Sequence, residues 1–462
     1  MLKDSATDVV RTLRQAGHQA YLVGGCVRDL LLGHQPEDFD VATDATPDQV
    51  MRLFPQTYAV GAQFGVVLVP VESLKGRGFS RADTDTGNEG ALAPEGKAAV
   101  IEVATFRSDG LYSDGRRPDQ VTYTKDPKED VQRRDFTING LLLDPLKDDE
   151  VLDYVGGRAD LAAKTIRTIG EPEQRFTEDK LRMLRAVRFA ARFEYEIEPG
   201  TFAAIRKLAP EVHQVSRERL RDELVKMLTE GRARRAFELL DQSGLLAEVL
   251  PEVARMKGVE QPPQFHPEGD VWIHTLLLLQ GLGAGCSRTL AVGALLHDVG
   301  KPPTFRVAPD RIRFDGHVEV GARMAEEICR SLRFSNHDTE QIVALVANHL
   351  RFADARRMKQ STLKRFLRLP QFEEHLEMHR LDCLASHGDL SLYEFVREKL
   401  AATPPEQIRP APLVTGDDLI AAGYTPGPRF KEMLRAVEDA QLEGSLTGKA
   451  EALDFLRRQF SD

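Results

Sequence analysis

The sequence predicts an α+β protein, a small mixed head followed by all-helical segments. Three observations lead there. Short apolar runs at 20–23, 39–42, 64–71 and 99–106 are interspersed with helical stretches in the first 150 residues. From about residue 175, apolar residues recur at helical spacing almost to the end. Proline-rich breaks at 262–267 (PPQFHP) and 403–412 (TPPEQIRPAP) divide that helical part. The expected organisation is a head over 1–150, a helical neck and body over 151–262, a third helical domain over 263–400 and a helical tail over 401–462.

Residues 1–16 form an amphipathic helix with no apolar signal region, so the cytoplasm is the default location. A strand at 20–23 runs into Gly24-Gly25 and a helix at 27–32, which Gly33 ends. A strand at 39–42 precedes a helix near Pro47 with Thr46 as its cap. Between the strands at 64–71 and 99–106 lies a Gly-, Asp- and Ser-rich segment, 72–97, that reads as a long solvated surface loop.

Hydrophobic residues at 42% and charged residues at 29% suit a soluble globular chain with real cores. The longest apolar stretches, such as 276–279, are far too short for a bilayer, so no membrane partner is expected. Cys26, Cys286, Cys329 and Cys383 are too scattered for a CxxC clip or a disulfide framework, which fits a reducing compartment. A net charge of -10 argues against a general nucleic-acid binder, so any RNA must meet a local basic stripe. Nothing in the pattern specifies an oligomeric state.

The strongest chemical signal is YLVGGCVRDLLLGHQPEDFDVAT, residues 21–43. Asp38 and Asp40 stand two apart on the predicted strand, so their side chains share a face. Two such carboxylates repel unless a cation lies between them, and Mg²⁺ takes oxygen ligands and pairs with phosphates. Glu102, on the strand at 99–106, completes the cluster. Gly25 lets a phosphate approach the backbone, the helix start favours anions, and Arg28 can pair with a phosphate oxygen. A lone Gly-Gly is usually a tight turn and a lone DxD a solvated strand end; in this order they are far more specific.

GGCVRDLLLG followed by EDFDVAT resembles the nucleotidyltransferase signature of the polymerase beta superfamily, in particular the bacterial and eukaryotic class of CCA-adding enzymes and the bacterial poly(A) polymerases. The resemblance implies a polymerase-beta-like head in which Asp38 and Asp40 hold Mg²⁺ for transfer from CTP and ATP to a tRNA 3′ end. RRDFTINGLLLDP (133–145) matches the next motif: Arg134 is expected on phosphate, and Asp135 on a ribose hydroxyl or a neighbouring arginine. TEDKLRMLRAVRFAARF (177–193) carries Arg182, Arg185, Arg188 and Arg192 as one basic stripe, which periodicity alone reads as a solvated face.

In the family, that helix holds the EDxxR motif, here Glu178, Asp179 and Arg182. Cytosine and adenine both present an amine donor beside a ring-nitrogen acceptor. A carboxylate and a guanidinium complement that edge, whereas uracil and guanine present the opposite order. Asp179 and Arg182 are thus expected to select CTP and ATP without a template, with Arg185 and Arg188 facing the triphosphate. In RERLRDELVKML (217–228), Arg219, Glu223 and Lys226 are expected to stabilise their own helix by charge pairs. The stretch between Arg107 and Asp130 resembles the loop that helps the family switch from CTP to ATP, which argues against CC-only addition.

Nine of the twelve histidines fall between His266 and His387. The order His274, His297-Asp298, His317, His349, Asp382 resembles the HD phosphohydrolase family, with HDVGK as its core. Asp298 would bridge, and imidazole with carboxylate suits Mn, Fe, Co, Ni or Mg for metal-hydroxide attack on a phosphoester. His266, His337, His375, His379 and His387 are read as satisfied or exposed side chains. The sequence leaves open an A-adding or poly(A) enzyme, an HD hydrolase carrying an RNA-binding transferase fold, and a structural HD domain.

Overall fold

The computed structural model describes residues 2–58, 65–71, 99–110, 121–264 and 266–460. The readings made for segment 72–97, and for residues 111–120 of the loop between Arg107 and Asp130, lie outside the described residues. The chain divides into two compact units, residues 1–223 with 238–249, and residues 224–237 with 250–462.

Unit 1 opens with helix Leu2–Gln15, whose Val9, Val10 and Leu13 are buried. Its strands are β1 (Ala20–Val23), β2 (Asp40–Thr43), β3 (Val66–Pro70), β4 (Val100–Thr105), the short β5 (Arg107–Asp109) and β6 (Val121–Tyr123), β7 (Leu141–Asp144) and β8 (Glu150–Asp153). Six of them form one sheet in the order β3-β4-β2-β1-β7-β8. Strand β2 runs parallel to β4, placing Asp40 level with Glu102. All other neighbours in the sheet are antiparallel.

The four expected strands are present, but β7 and β8 were not foreseen. All four residues of β7 are buried, so it lacks the alternation that marks a half-exposed strand. The expected cap at Thr46 is present as a capping box with Gln49, whose Oε1 accepts from the Thr46 N–H at 2.8 Å. Beyond the sheet come helices Pro172–Glu178, Leu181–Phe193 and Pro199–Leu208, with a two-residue parallel pair of β9 (Thr165–Ile166) and β10 (Glu196–Ile197).

Unit 2 is helical apart from one small antiparallel ladder, β11 (Arg306–Val307) with β12 (Ile312–Arg313). Asp270, Ser287 and Ser335 cap helices Val271–Gln280, Arg288–Leu296 and Asn336–Asn348 by accepting from Ile273, Leu290 and Asp338 backbone N–H groups. Helices His317–Ser331 and Asn336–Asn348 are packed neighbours. Gly300, in HDVGK, lets that turn approach helix His317–Ser331 closely. A Cβ there would sit 2.1 Å from the His317 carbonyl oxygen and 2.6 Å from the Gly321 nitrogen. Toward the C-terminus Leu419, Met433, Val437, Ala452 and Leu456 build a separate apolar cluster. Among the described residues no helix is long and apolar enough to cross a membrane.

Candidate active site and metal centre

A cleft of about 530 Å³ in unit 1 is lined by Gly25, Arg28, Asp38, Asp40, Arg134, Asp135, Asp179, Arg182, Arg185 and Arg188. Glu102 lines an adjoining cavity of about 230 Å³, which shares Asp40 and Arg134 with the cleft. Glu178 lines neither, but accepts from Arg182, which lines the cleft.

The expected strand under Asp38 and Asp40 needs correction: β2 begins at Asp40. Its ladder with β1 ends at Val23 opposite Asp40, because the chain after Val23 turns into the helix at Gly25 and offers Asp38 no partner. Both carboxylates nevertheless reach one cleft. Phe39 between them is only 4% exposed. The Asp40 carboxyl is pushed up to about 7 by burial, then by Glu102 and Asp38, with Arg134 opposing. Glu102 is open to solvent but walled by protein, and that desolvation with Asp38 raises it too. A cation stabilises crowded carboxylates of this kind, so the donor set fits a hard divalent ion. The three do not close into a tight ligand set by themselves. Among the described residues, the His/Cys/Asp/Glu groups with ligand atoms all within 4.8 Å lie in unit 2.

The Gly-Gly turn makes its demand at Gly24 rather than Gly25. Gly24 has φ 79° and ψ -131°, a glycine conformation. A Cβ on Gly25 would meet Arg28 at an ordinary 3.5 Å. Arg28 is buried, donates to Asn139 Oδ1 at 2.6 Å and lies over the Phe193 ring at 4.6 Å.

Asp130, 1% exposed, was missed by the sequence reading although it precedes the doubled arginine at helical spacing. Its Oδ1 accepts from Arg133 at 2.9 and 2.6 Å, and its Oδ2 from Arg134 at 3.3 and 3.0 Å. Asp135 takes the neighbouring-arginine option, its Oδ2 accepting from Arg185 at 2.9 and 2.7 Å. Burial would raise this carboxyl, but Arg185, Asn139 and the Phe136 N–H hold it at about 2.

Two of the charged residues along 217–228 also reach partners outside their own helix. Arg219 donates to Asp179 Oδ2 at 2.6 Å, and Glu223 accepts from Arg188 at 2.7 Å. Residues spaced for pairing along one helix serve equally well against a facing helix, which spacing does not reveal. Asp179 Oδ1 also accepts from the Leu181 N–H at 3.0 Å, where the next helix begins. Arg182 is 8% exposed and gives Nη1 to Glu178 at 2.8 Å and to the Arg175 carbonyl at 3.0 Å, and Nη2 to the Arg133 carbonyl at 3.3 Å. Asp179 and Arg182 are thus not paired with each other; each is held by other groups while lining the cleft.

In unit 2 all six expected residues converge. His274 Nε2 lies 3.1 Å from Asp382 Oδ1, 3.2 Å from His297 Nε2 and 3.9 Å from Asp298 Oδ2. His297 Nε2 is 3.2 Å from Asp298 Oδ2, while His317 and His349 Nε2 face Asp298 Oδ1 at 3.9 and 3.8 Å. Asp298 Oδ1, His317 Nε2 and His349 Nε2 are buried and have no hydrogen-bond partner. Together they form a polar cradle whose chemistry fits a divalent ion. Lys301 Nζ, buried, lies 2.6 Å from Asp298 Oδ2. Burial lowers the His274 imidazole, but Asp382 and Glu268 outweigh it and hold it up at about 9. His349 is pushed down to about 4 by burial. His266, read as a satisfied or exposed side chain, is hydrogen-bonded, sharing Glu268 with His274.

Three family models match along the chain: a poly A polymerase head domain at 20–167, a probable RNA and SrmB-binding site of polymerase A at 194–257, and an HD domain at 271–382. The CCA-adding enzyme of Enterococcus faecalis is 32% identical over 459 residues, 99% of this chain and 96% of that enzyme. That of Geobacillus stearothermophilus is 41% identical over 249 residues, 54% of this chain. This match and that to the Levilactobacillus brevis enzyme span about half the relatives' length, 55% and 50%. Among solved structures, the Bacillus stearothermophilus CCA-adding enzyme in complex with CTP superposes with a TM-score of 0.72 at 26% identity, covering 99% of this chain and 97% of that one. A Thermotoga maritima CCA-adding enzyme shares the fold at a TM-score of 0.57 and 18% identity. With 32% identity over nearly the full length of a curated relative and all three domain types in order, the chain belongs to the family of CCA-adding enzymes.

Proposed function

We propose that this chain adds CMP and AMP from CTP and ATP to the 3′ end of tRNA in the cleft of unit 1, and hydrolyses a phosphoester at the histidine-rich centre of unit 2. The observation that carries the first activity is the cleft itself, where Asp38 and Asp40 share one cavity with seven arginines. The RNA 3′-hydroxyl oxygen forms a bond to the α-phosphorus of the nucleotide, the bond to the β-bridging oxygen breaks, and pyrophosphate leaves. Mg²⁺, held by Asp38 and Asp40 with Glu102 beside them, would activate that hydroxyl and offset charge on the leaving group. Arg134, Arg185 and Arg188 bind the triphosphate, oriented by Asp130, Asp135 and Glu223. Asp179 and Arg182 read the base edge. A carboxylate bound to Arg219 and Leu181 still has lone pairs for an amine, and Arg182 retains N–H groups beyond its three bonds.

His274, His297, Asp298, Asp382, His317 and His349 would hold the divalent metal of unit 2, which would supply a hydroxide nucleophile at neutral pH. The division of labour follows the chain: transfer chemistry in 1–150, nucleotide selection and RNA contact in 151–262, hydrolysis in 263–400 and a helical tail in 401–462. The compartment is the cytoplasm. The test is to incubate purified protein with tRNA transcripts ending in N73, C74 or C75, supplying each NTP separately. Ordered C, C, A addition supports the reading. A-only addition to transcripts ending in C75, or a poly(A) tail, would replace it, and no transfer at all would leave only the hydrolase.

A further inference from the structure

The four histidines of the unit 2 centre are aimed in two different ways. His297 Nδ1 donates to the Ala294 carbonyl at 2.8 Å, His317 Nδ1 to Phe314 at 2.8 Å, and His349 Nδ1 to Val346 at 2.7 Å. Each uses a carbonyl three residues earlier, supplied by its own helix or turn. His274 sits inside helix Val271–Gln280, and its Nδ1 reaches Glu268 Oε1 at 2.7 Å. A carboxylate and a carbonyl can only accept, so all four rings carry the proton on Nδ1 and turn Nε2 toward Asp298 and Asp382.

The chain is shaped to bring Glu268 there. Asp270 caps the helix and also accepts the Gly258 N–H at 2.6 Å, and the Val271 N–H donates to the Val259 carbonyl at 3.0 Å. Gly269 turns the backbone at φ 128°, which a side chain rarely permits. The Glu268 side chain is 7% exposed, and His266 Nδ1 braces the same Oε1 from the other side at 2.8 Å. Both contacts are at hydrogen-bond length, so the three groups read as an orienting layer behind the centre.

We propose that Glu268 is a positioning residue for the metal centre of unit 2, fixing the tautomer and direction of His274 so that Nε2 is presented to the ion. The inference rests on the proposed metal-binding role of that centre. A negative charge on Nδ1–H also makes Nε2 a stronger donor than a carbonyl does, so His274 is set apart from the other three.

The test is Co²⁺ binding to the full chain in excess Mg²⁺, read from the visible absorption of the bound ion. Imidazole-containing sites take Co²⁺ in preference to Mg²⁺, which leaves the carboxylates of unit 1 to the harder ion. Wild type, Glu268→Ala and Glu268→Gln are compared, with melting temperatures measured in EDTA. Glu268→Ala is expected to bind Co²⁺ about ten- to a hundredfold more weakly. Glu268→Gln, which keeps an oxygen acceptor, should recover part of that loss, with the chelated melting temperature little changed in both. Unchanged Co²⁺ affinity in Glu268→Ala overturns the proposal while leaving the metal centre standing. Failure of wild type to bind Co²⁺ overturns the metal centre itself.

Discussion

Arg182→Ala separates base reading from scaffolding, because the structure supplies a matched control. Arg182 donates to Glu178, to the Arg175 carbonyl and to the Arg133 carbonyl, tying helix Pro172–Glu178 to the segment that carries Arg133 and Arg134. Arg175 ties the same pieces together, pairing with Glu178 and the Arg133 carbonyl and donating to the Arg134 carbonyl at 2.7 Å. Arg182 lines the cleft and Arg175 does not. Removing either leaves buried acceptors under-satisfied, at about 1–3 kcal/mol per group, so both variants should lose stability. On the proposed base reading, only Arg182→Ala removes a donor to the ring nitrogen of CTP and ATP, a charge-assisted bond of about 1.5–3 kcal/mol, or roughly ten- to a hundredfold in kcat/KM. UTP and GTP never make that bond well and should lose less. The assay is incorporation of all four NTPs onto transcripts ending in N73 and C75, beside urea unfolding of each variant. Arg175→Ala should lower all four nucleotides in proportion, whereas Arg182→Ala should shrink the ratio of CTP and ATP to UTP and GTP. An equal proportional loss in Arg182→Ala would assign it to the scaffold and refute base reading by this residue.

Asp40→Ala should cut nucleotide addition by several kcal/mol, on the order of a thousandfold or more, while phosphoester hydrolysis continues. Near-normal CMP incorporation by that variant would contradict the catalytic assignment. His297→Ala should abolish hydrolysis of a 2′,3′-cyclic nucleotide and keep CCA addition. It should also lose the rise in unfolding free energy that Mn²⁺ or Co²⁺ gives wild type, about 2.7 kcal/mol at a hundred times Kd; a wild type indifferent to every divalent ion would make the HD domain structural. His375 is buried with both ring nitrogens unpartnered, and burial with Arg351 pushes it down to about 4. An unfolded histidine takes a proton near pH 6.5 and the folded one does not. Stability is therefore full above that pH and is lost on acidification toward pH 4, by about 3 kcal/mol in all. His375→Leu should accordingly gain stability over wild type at pH 5 relative to pH 7.5, followed by fluorescence of Trp272, the single tryptophan; an equal difference at both pH values would refute it.

The sequence by itself singled out residues that line the unit 1 cleft and that cluster in unit 2. The acids Asp38 and Asp40, the doubled arginine and the order of His274, His297-Asp298, His317, His349 and Asp382 are local patterns. Strand and helix period, capping residues and motif spacing are written within a few residues, so β1 through β4 and the Thr46 cap were legible. Strand β7 was not, because a fully buried four-residue run has no alternation to read. Partner choice was not legible either. That Asp179 is held by Arg219 forty residues on, that Arg188 meets Glu223, and that Asp130 grips both arginines depends on which helix faces which. The same holds for Glu268, which no spacing rule connects to His274, six residues away across the start of a helix. A charged side chain advertises only that it wants a partner; the packing of distant elements decides which one it gets, and with it the direction in which the reactive atoms point.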